Sequence, residues 1–199
     1  MDYREDIKKY IELEIETLNK LDVEAISRAI TLLEETWDAE GTVYVMGNGG
    51  SAATAAHYQN DFNKGISEHV EKKFRFQCLN DNVPTVMAIA NDIGFDEVFR
   101  FQLLNKLQQK DIVLALSASG NSQNVINAVT YAKKCGCKVI GLTGYTGGIL
   151  AGLSDVSLNV PVMSMQVTED IHMVLDHLMM SIFYSKLCGK NHVEDQHDE

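Results

Sequence analysis

The sequence predicts an α/β fold: a mostly parallel sheet with helices on both faces, preceded by N-terminal helices. Three observations carry that expectation. Apolar residues recur at helical spacing through residues 2–38. After Gly41 the pattern changes to short apolar runs alternating with helical stretches. Two of those runs lead through a turn of glycine and small hydroxyl residues straight into a helix. Strands that alternate with helices must be joined by crossovers, which give parallel pairing and cover both sheet faces.

The N-terminal stripe comprises Ile7, Ile11, Ile15, Leu18, Ile26, Ile30 and Leu33, and residues 19–22 divide it into two helices. It carries more apolar surface than one sheet face needs, so part of it is expected at a contact with another subunit, with packing inside one chain as the alternative. Strands are expected at 42–46, 74–79, 85–89, 112–116, 138–142 and 156–160. Helices are expected at about 51–64, 94–108, 122–134, 147–152 and 168–188. Pro84 and Pro161 fall outside those helices. No linker interrupts the pattern, so residues 1–190 are expected as one domain whose first 38 residues form a helical extension. Residues 191–199 are expected as an acidic, disordered tail.

A formal net charge of -11 argues against nucleic acid or an anionic membrane surface as a partner. The first residues are charged and lack the apolar core of a signal peptide, and no apolar run approaches a membrane span. The expected location is the cytoplasm. Cys78, Cys135, Cys137 and Cys188 show no disulfide-framework spacing, and Cys135-Gly136-Cys137 lacks the second half of a metal site. Free thiols of a reducing compartment fit them better.

The two turns suggest the chemistry. The first is Gly47-Asn48-Gly49-Gly50-Ser51, before a helix that carries His57. The second is Ser117-Ala118-Ser119-Gly120-Asn121-Ser122, before a helix from Gln123. A helix N-terminus leaves backbone N–H groups unpaired and attracts an anion, and serines add short donors without filling the space. Gly47 to Ala52 also satisfies the loose dinucleotide pattern G-x-G-x-x-A, but the acidic residue that should end the second strand about 20 residues on has its nearest candidate in Asp81, roughly 30 residues on and beyond a charged stretch. A phosphate cradle for a phosphorylated sugar is the better reading, at the carboxyl ends of the strands.

His57 and Asp61 lie four apart on the first helix and share a face, as a metal or acid–base pair would, or a plain surface contact. Asn91-Asp92 is expected in a loop after the 85–89 strand, where it could bind sugar hydroxyls or cap a helix. On the last helix Glu169 and His177 face one way, while His172 is rotated from His177 and reads as a core histidine.

Together these residues resemble the sugar-isomerase (SIS) domain proteins, and among them the phosphoheptose isomerases, over nearly the whole chain. The resemblance implies a three-layer α/β/α sandwich assembled as a homotetramer, with each site built from more than one subunit. It implies interconversion of sedoheptulose 7-phosphate and D-glycero-D-manno-heptose 7-phosphate by a metal-assisted enediol route. It also implies zinc or another divalent ion, one per subunit, at His57, Asp61, Glu169 and His177. Asp61 and His177 are the implied proton-transfer residues. Asn48, Gly49, Gly50, Ser51, Asp61, Asn91, Asp92, Ser117, Ala118, Ser119, Ser122 and Glu169 are the implied substrate contacts. Asp61 is one methylene shorter than the family's Glu, Glu169 replaces a Gln, Ala118 removes a hydroxyl, and Lys64 lies one position from a usual basic residue. A second reading is a non-catalytic, replication-initiator-associating adaptor, which the stretch from Leu79 to Asp92 also resembles. Such an adaptor lacks the acidic and the final His metal positions, whereas this chain keeps Asp61 and His177.

Overall fold

A computed structural model describes residues 2–189; the tail expected at 191–199 lies outside them. Two helices come first, α1 (Arg4–Leu18) and α2 (Val23–Asp38). The break falls at residues 19–22, where the Asp22 carboxylate accepts from the Ala25 N–H at 2.9 Å and caps α2. α2 buries Ala25, Ile26, Ala29 and Leu33 against the sheet. α1 leaves its stripe bare: Ile7, Ile11 and Ile15 are each more than half exposed.

Five strands follow: β1 (Val43–Met46), β2 (Phe76–Cys78), β3 (Ile112–Ser117), β4 (Lys138–Gly144) and β5 (Val156–Val160). They lie in the order β2-β1-β3-β4-β5, all parallel. β1 and β3 are buried along their whole length, which explains their continuous apolar runs. Alternate side chains feed two cores. Val45, Leu114, Leu116 and Leu142 pack with α2, α3 (Gly50–Asn60) and α8 (Met165–Cys188). Tyr44, Met46, Val113 and Val139 pack with α4 (Val83–Asp92), α5 (Arg100–Leu103), α6 (Gln123–Lys134) and α7 (Gly148–Leu153). The result is the expected α/β/α sandwich.

Two expectations fail. Residues 85–89 are not a strand but the middle of α4, so the sheet has five strands and not six. The local signals that win are the Asn82 side chain, which accepts from the Thr85 N–H at 3.1 Å, and Pro84 in the first turn. The helix expected at 94–108 is only a 3-10 turn at Phe95–Glu97 and the short α5. Gly94 (φ 142°) and Asn105 (φ 58°) bracket it with backbone that no helix adopts.

From β1 the chain passes to β2 on one side and then to β3 on the other, so the strand order reverses between β1 and β3. Ligands of open parallel sheets bind at that reversal, beyond the carboxyl ends. Both glycine–serine turns leave the sheet there. Among the described residues no helix is long and apolar enough to cross a membrane.

Candidate active site

The two turns converge on one cavity of about 230 Å³, lined by Asn48, Ser51, Ser117, Ala118, Ser119, Ser122 and Glu169, with Tyr145 and Met165 closing it. The Asn48 and Asn124 amides bond each other twice, at 2.9 Å each, and tie the first turn to the helix of the second. The Ser117 and Ser122 hydroxyls stand 3.0 Å apart. α3 and α6 start without a side-chain cap, whereas α2, α4 and α8 are capped by Asp22, Asn82 and Ser164. The first N–H groups of α3 and α6 are therefore left to meet a ligand oxygen, although that of Val125 in the first turn of α6 already donates to the Asn124 side chain at 2.9 Å.

Glu169 reaches over from α8 to the first turn of α3. A Cβ on Gly50 would fall 2.2 Å from Glu169 Oε2, so only glycine leaves room for the carboxylate at that helix start. Negative charge is favoured there by the unpaired N–H groups.

One turn further along α3, His57 projects toward His177 of α8. Their Nε2 atoms are 3.0 Å apart. Asp61 Oδ2 lies 3.4 Å from His57 Nε2 and 3.7 Å from His177 Nε2. These three ligand-type atoms all fall within 4.8 Å of one another. Ligands about 2.0–2.1 Å from a tetrahedral zinc are spaced roughly 3.3 Å apart, so the triangle fits a divalent ion. Asp61 is held by the backbone: α3 loosens at that residue into a π-helix, Asp61–Ile66. Such insertions re-aim side chains and are frequent at functional sites.

The remaining expected site residues divide. Glu169 is outside the triangle and borders the serine cavity instead. Asn91 and Asp92 do not follow a strand; they end α4 on the exposed surface, where the Asn91 amide donates to the Asp92 carboxylate at 2.7 Å. They are not among the residues lining the cavity. Lys64 pairs with Glu68 at 2.8 Å. His172 is fully buried, with Nε2 3.2 Å from the Thr143 carbonyl oxygen, and burial pulls its pKa down to about 4.

Three residues escape a sequence reading. Tyr145 and Met165 line the cavity; a glycine-rich loop after a strand is the only signal for the first, and there is none for the second. Asp176, beside His177, looks like a solvated helix position but is fully buried. Its carboxyl finds no hydrogen-bond partner, and its pKa rises to about 8 through burial and the nearby Asp61 charge. The Tyr58 hydroxyl is likewise buried without a partner, and burial followed by the Asp176 charge pushes its pKa well above the usual value.

A parallel sheet that gathers two uncapped helix starts and four serines around one cavity defines an α/β protein built to bind a phosphorylated ligand. The SIS domain family matches residues 2–144. A phosphoheptose isomerase of Syntrophotalea carbinolica is 34% identical over 173 residues, 87% of this chain and 88% of that one. A probable phosphoheptose isomerase of Thermoplasma acidophilum is 32% identical over 181 residues, 91% of this chain and 99% of that one. The solved phosphoheptose isomerase of Neisseria gonorrhoeae superposes with a TM-score of 0.85 at 31% identity, covering 92% of this chain and all of the other. The chain belongs to the SIS-domain family, within the phosphoheptose isomerase group.

Proposed function

We propose that the protein interconverts sedoheptulose 7-phosphate and D-glycero-D-manno-heptose 7-phosphate, with the described chain working as one SIS domain. The observation that carries this reading is the His57–Asp61–His177 triangle at the end of the helix that begins in the phosphate turn. The helix that begins at the first turn thus leads directly to Asp61, and His177 comes to meet it from α8.

Ser51, Ser117, Ser119 and Ser122 hold the phosphate with the first N–H groups of α6, and Asn48 meets a sugar hydroxyl. A proton must leave the carbon beside the carbonyl and return to its neighbour through a cis-enediol. Asp61 and His177 carry those transfers, close enough together to serve adjacent carbons. Each does so only while its proton-accepting atom is not bound to an ion, since one residue cannot be both tight ligand and free base throughout. His57, Asp61 and His177 would hold one zinc or similar divalent ion per subunit, which when bound polarises the carbonyl and balances the developing oxyanion. Glu169 borders the substrate and anchors the start of α3.

His177 is 55% exposed and His57 39%, which is too open for a reaction that must exclude water. A neighbouring subunit closing over them accounts for this, and the bare apolar stripe of α1 supplies a contact surface for a homotetramer. In that assembly Asn91 and Asp92 are offered to a neighbour's site by α4, with exposed Val83 and Met87 beside them. The reading places the protein in the cytoplasm, where sugar phosphates are kept. The adaptor alternative is disfavoured because an adaptor has no use for a converged His–Asp–His group.

Incubating the purified protein with sedoheptulose 7-phosphate, with its metal content measured, tests the reading. Conversion to the aldose with about one divalent ion per subunit is expected, and chelation should abolish it. Metal-loaded protein that leaves this sugar unchanged would refute the heptose assignment.

A further inference from the structure

We propose that Tyr145 determines specificity at this site: its phenolic hydroxyl completes the phosphate cradle, and its loop is held under strain to place it there. The proposal rests on the sugar-phosphate reading above.

Tyr145 lies two residues beyond Thr143, the partner of Ser117 across β3 and β4, so it emerges beside the second serine turn. Half-buried, it lines the same cavity as Ser119, Ser122 and Glu169. Its backbone is left-handed, with φ 52°, a conformation that a bulky side chain disfavours.

The surroundings enforce that conformation. The Tyr145 N–H donates to the Val162 carbonyl at 3.2 Å, and the Asn159 amide donates to the Tyr145 carbonyl at 3.4 Å. Just before it, the Gly144 N–H donates to the Ala118 carbonyl at 2.8 Å. Just after it, a Cβ on Gly148 would fall 2.5 Å from the Ser119 carbonyl oxygen, and one on Gly120 would fall 2.0 Å from that of Gly147. The Leu150 and Ile149 N–H groups donate to the Gly120 carbonyl and the Asn121 side chain. The Tyr145 loop and the serine turn are therefore clamped into one unit, and the backbone that carries the ring cannot move independently of the cradle.

Residues 144–148 already contain three glycines. A fourth at 145 would take up φ 52° without strain, as would an asparagine with little. A tyrosine kept there is a side chain retained against local stability, which points to function. The chemistry of the cradle agrees. A phosphate dianion only accepts hydrogen bonds, and the middle residue of the Ser117-Ala118-Ser119 turn offers no hydroxyl. The loop bonded to Ala118 carries Tyr145, whose hydroxyl is a donor on a rigid ring, among the residues that line the cavity on the β4 side.

Two variants and two readouts test this. Tyr145→Phe keeps ring and fold and removes only the hydroxyl. It should raise KM for sedoheptulose 7-phosphate roughly tenfold, the loss expected for one hydrogen bond to a charged group, with kcat nearly unchanged. It should also shrink the melting-temperature rise produced by inorganic phosphate. Tyr145→Gly should melt no lower than the natural protein yet show the same loss of phosphate response. A Tyr145→Phe protein that binds phosphate and substrate normally would overturn the proposal. So would a Tyr145→Gly protein that melts lower with its phosphate response intact, because Tyr145 would then be only a structural wedge. If the natural protein turns over no heptose phosphate but its phosphate response still depends on the Tyr145 hydroxyl, the substrate reading fails and this proposal stands.

Discussion

The two strand–turn–helix units, β1–α3 and β3–α6, share one design and do different work. In the first, glycine dominates because Glu169 lies against the helix start, where a Cβ on Gly50 would collide with it. That carboxylate already answers part of the positive end of α3, and the helix goes on to present His57 and Asp61. In the second, serines dominate, and the helix beyond is core-facing, burying Val125, Ala128, Val129 and Ala132. The difference teaches that a repeated anion-binding motif need not bind two anions. On the proposed function, one copy has become the arm that leads to the chemistry, and the other supplies most of the phosphate contacts.

The sharpest way to break the comparison is to remove the chemistry that the first arm assembles with His177 of α8 and leave binding alone. His177→Asn should cut kcat by about a thousandfold or more, the scale of a lost acid–base group, with KM little changed. Its side chain is more than half exposed, so circular dichroism and melting should show an intact fold.

A second contrast lies in the glycines. Gly120→Ala forces a side chain at φ 65° into the Gly147 carbonyl and should cost roughly 2–3 kcal/mol in urea unfolding. Gly50→Ala meets only the far end of a flexible glutamate. It should leave stability nearly unchanged while displacing Glu169 from the cavity, which would appear as an altered KM.

Ser119→Ala sharpens the division from the binding side. Deleting one hydroxyl of the second turn should raise KM roughly tenfold, with kcat and melting temperature held.

How much of this was legible in the sequence follows from the range of each signal. The two turns and the helices after them were readable because glycine, serine and helix starts are local chemistry. The strand expected at 85–89 was a run of β-branched and apolar residues, and what overruled it was equally local, the Asn82 cap and Pro84. The pairing of His57 with His177, 120 residues apart, followed from resemblance and not from spacing. Glu169 came from the same source, yet it packs on Gly50, because the direction of a long side chain depends on a neighbour that sequence does not reveal. Asp176 and Tyr145 were invisible for the same reason: burial in one case and a left-handed backbone in the other are properties of the assembled fold.

The smallest net effect concerns pH, because two buried groups oppose each other. His172, neutral in the fold with a pKa near 4, contributes stability that is present above its unfolded value of about 6.5 and is lost as pH falls toward 4. Asp176, protonated in the fold up to about pH 8, contributes stability that is present in acid and is lost as pH rises through that value. Between pH 4 and 6.5 the two slopes oppose. His172→Gln removes one of them, so its urea midpoint should rise relative to the natural protein as the buffer is acidified from 6.5 to 4. An unchanged difference across that range would show that His172 is not held neutral.

The division of labour between the arms is tested most directly by running the isomerisation in deuterated water. The natural protein, supplied with a divalent ion, should convert sedoheptulose 7-phosphate to an aldose phosphate carrying deuterium on the carbon beside the carbonyl. Ser119→Ala should do the same once the substrate concentration is raised, and His177→Asn should incorporate almost none at any concentration. Deuterium incorporation that survives His177→Asn but is lost in Ser119→Ala at saturating substrate would contradict the account.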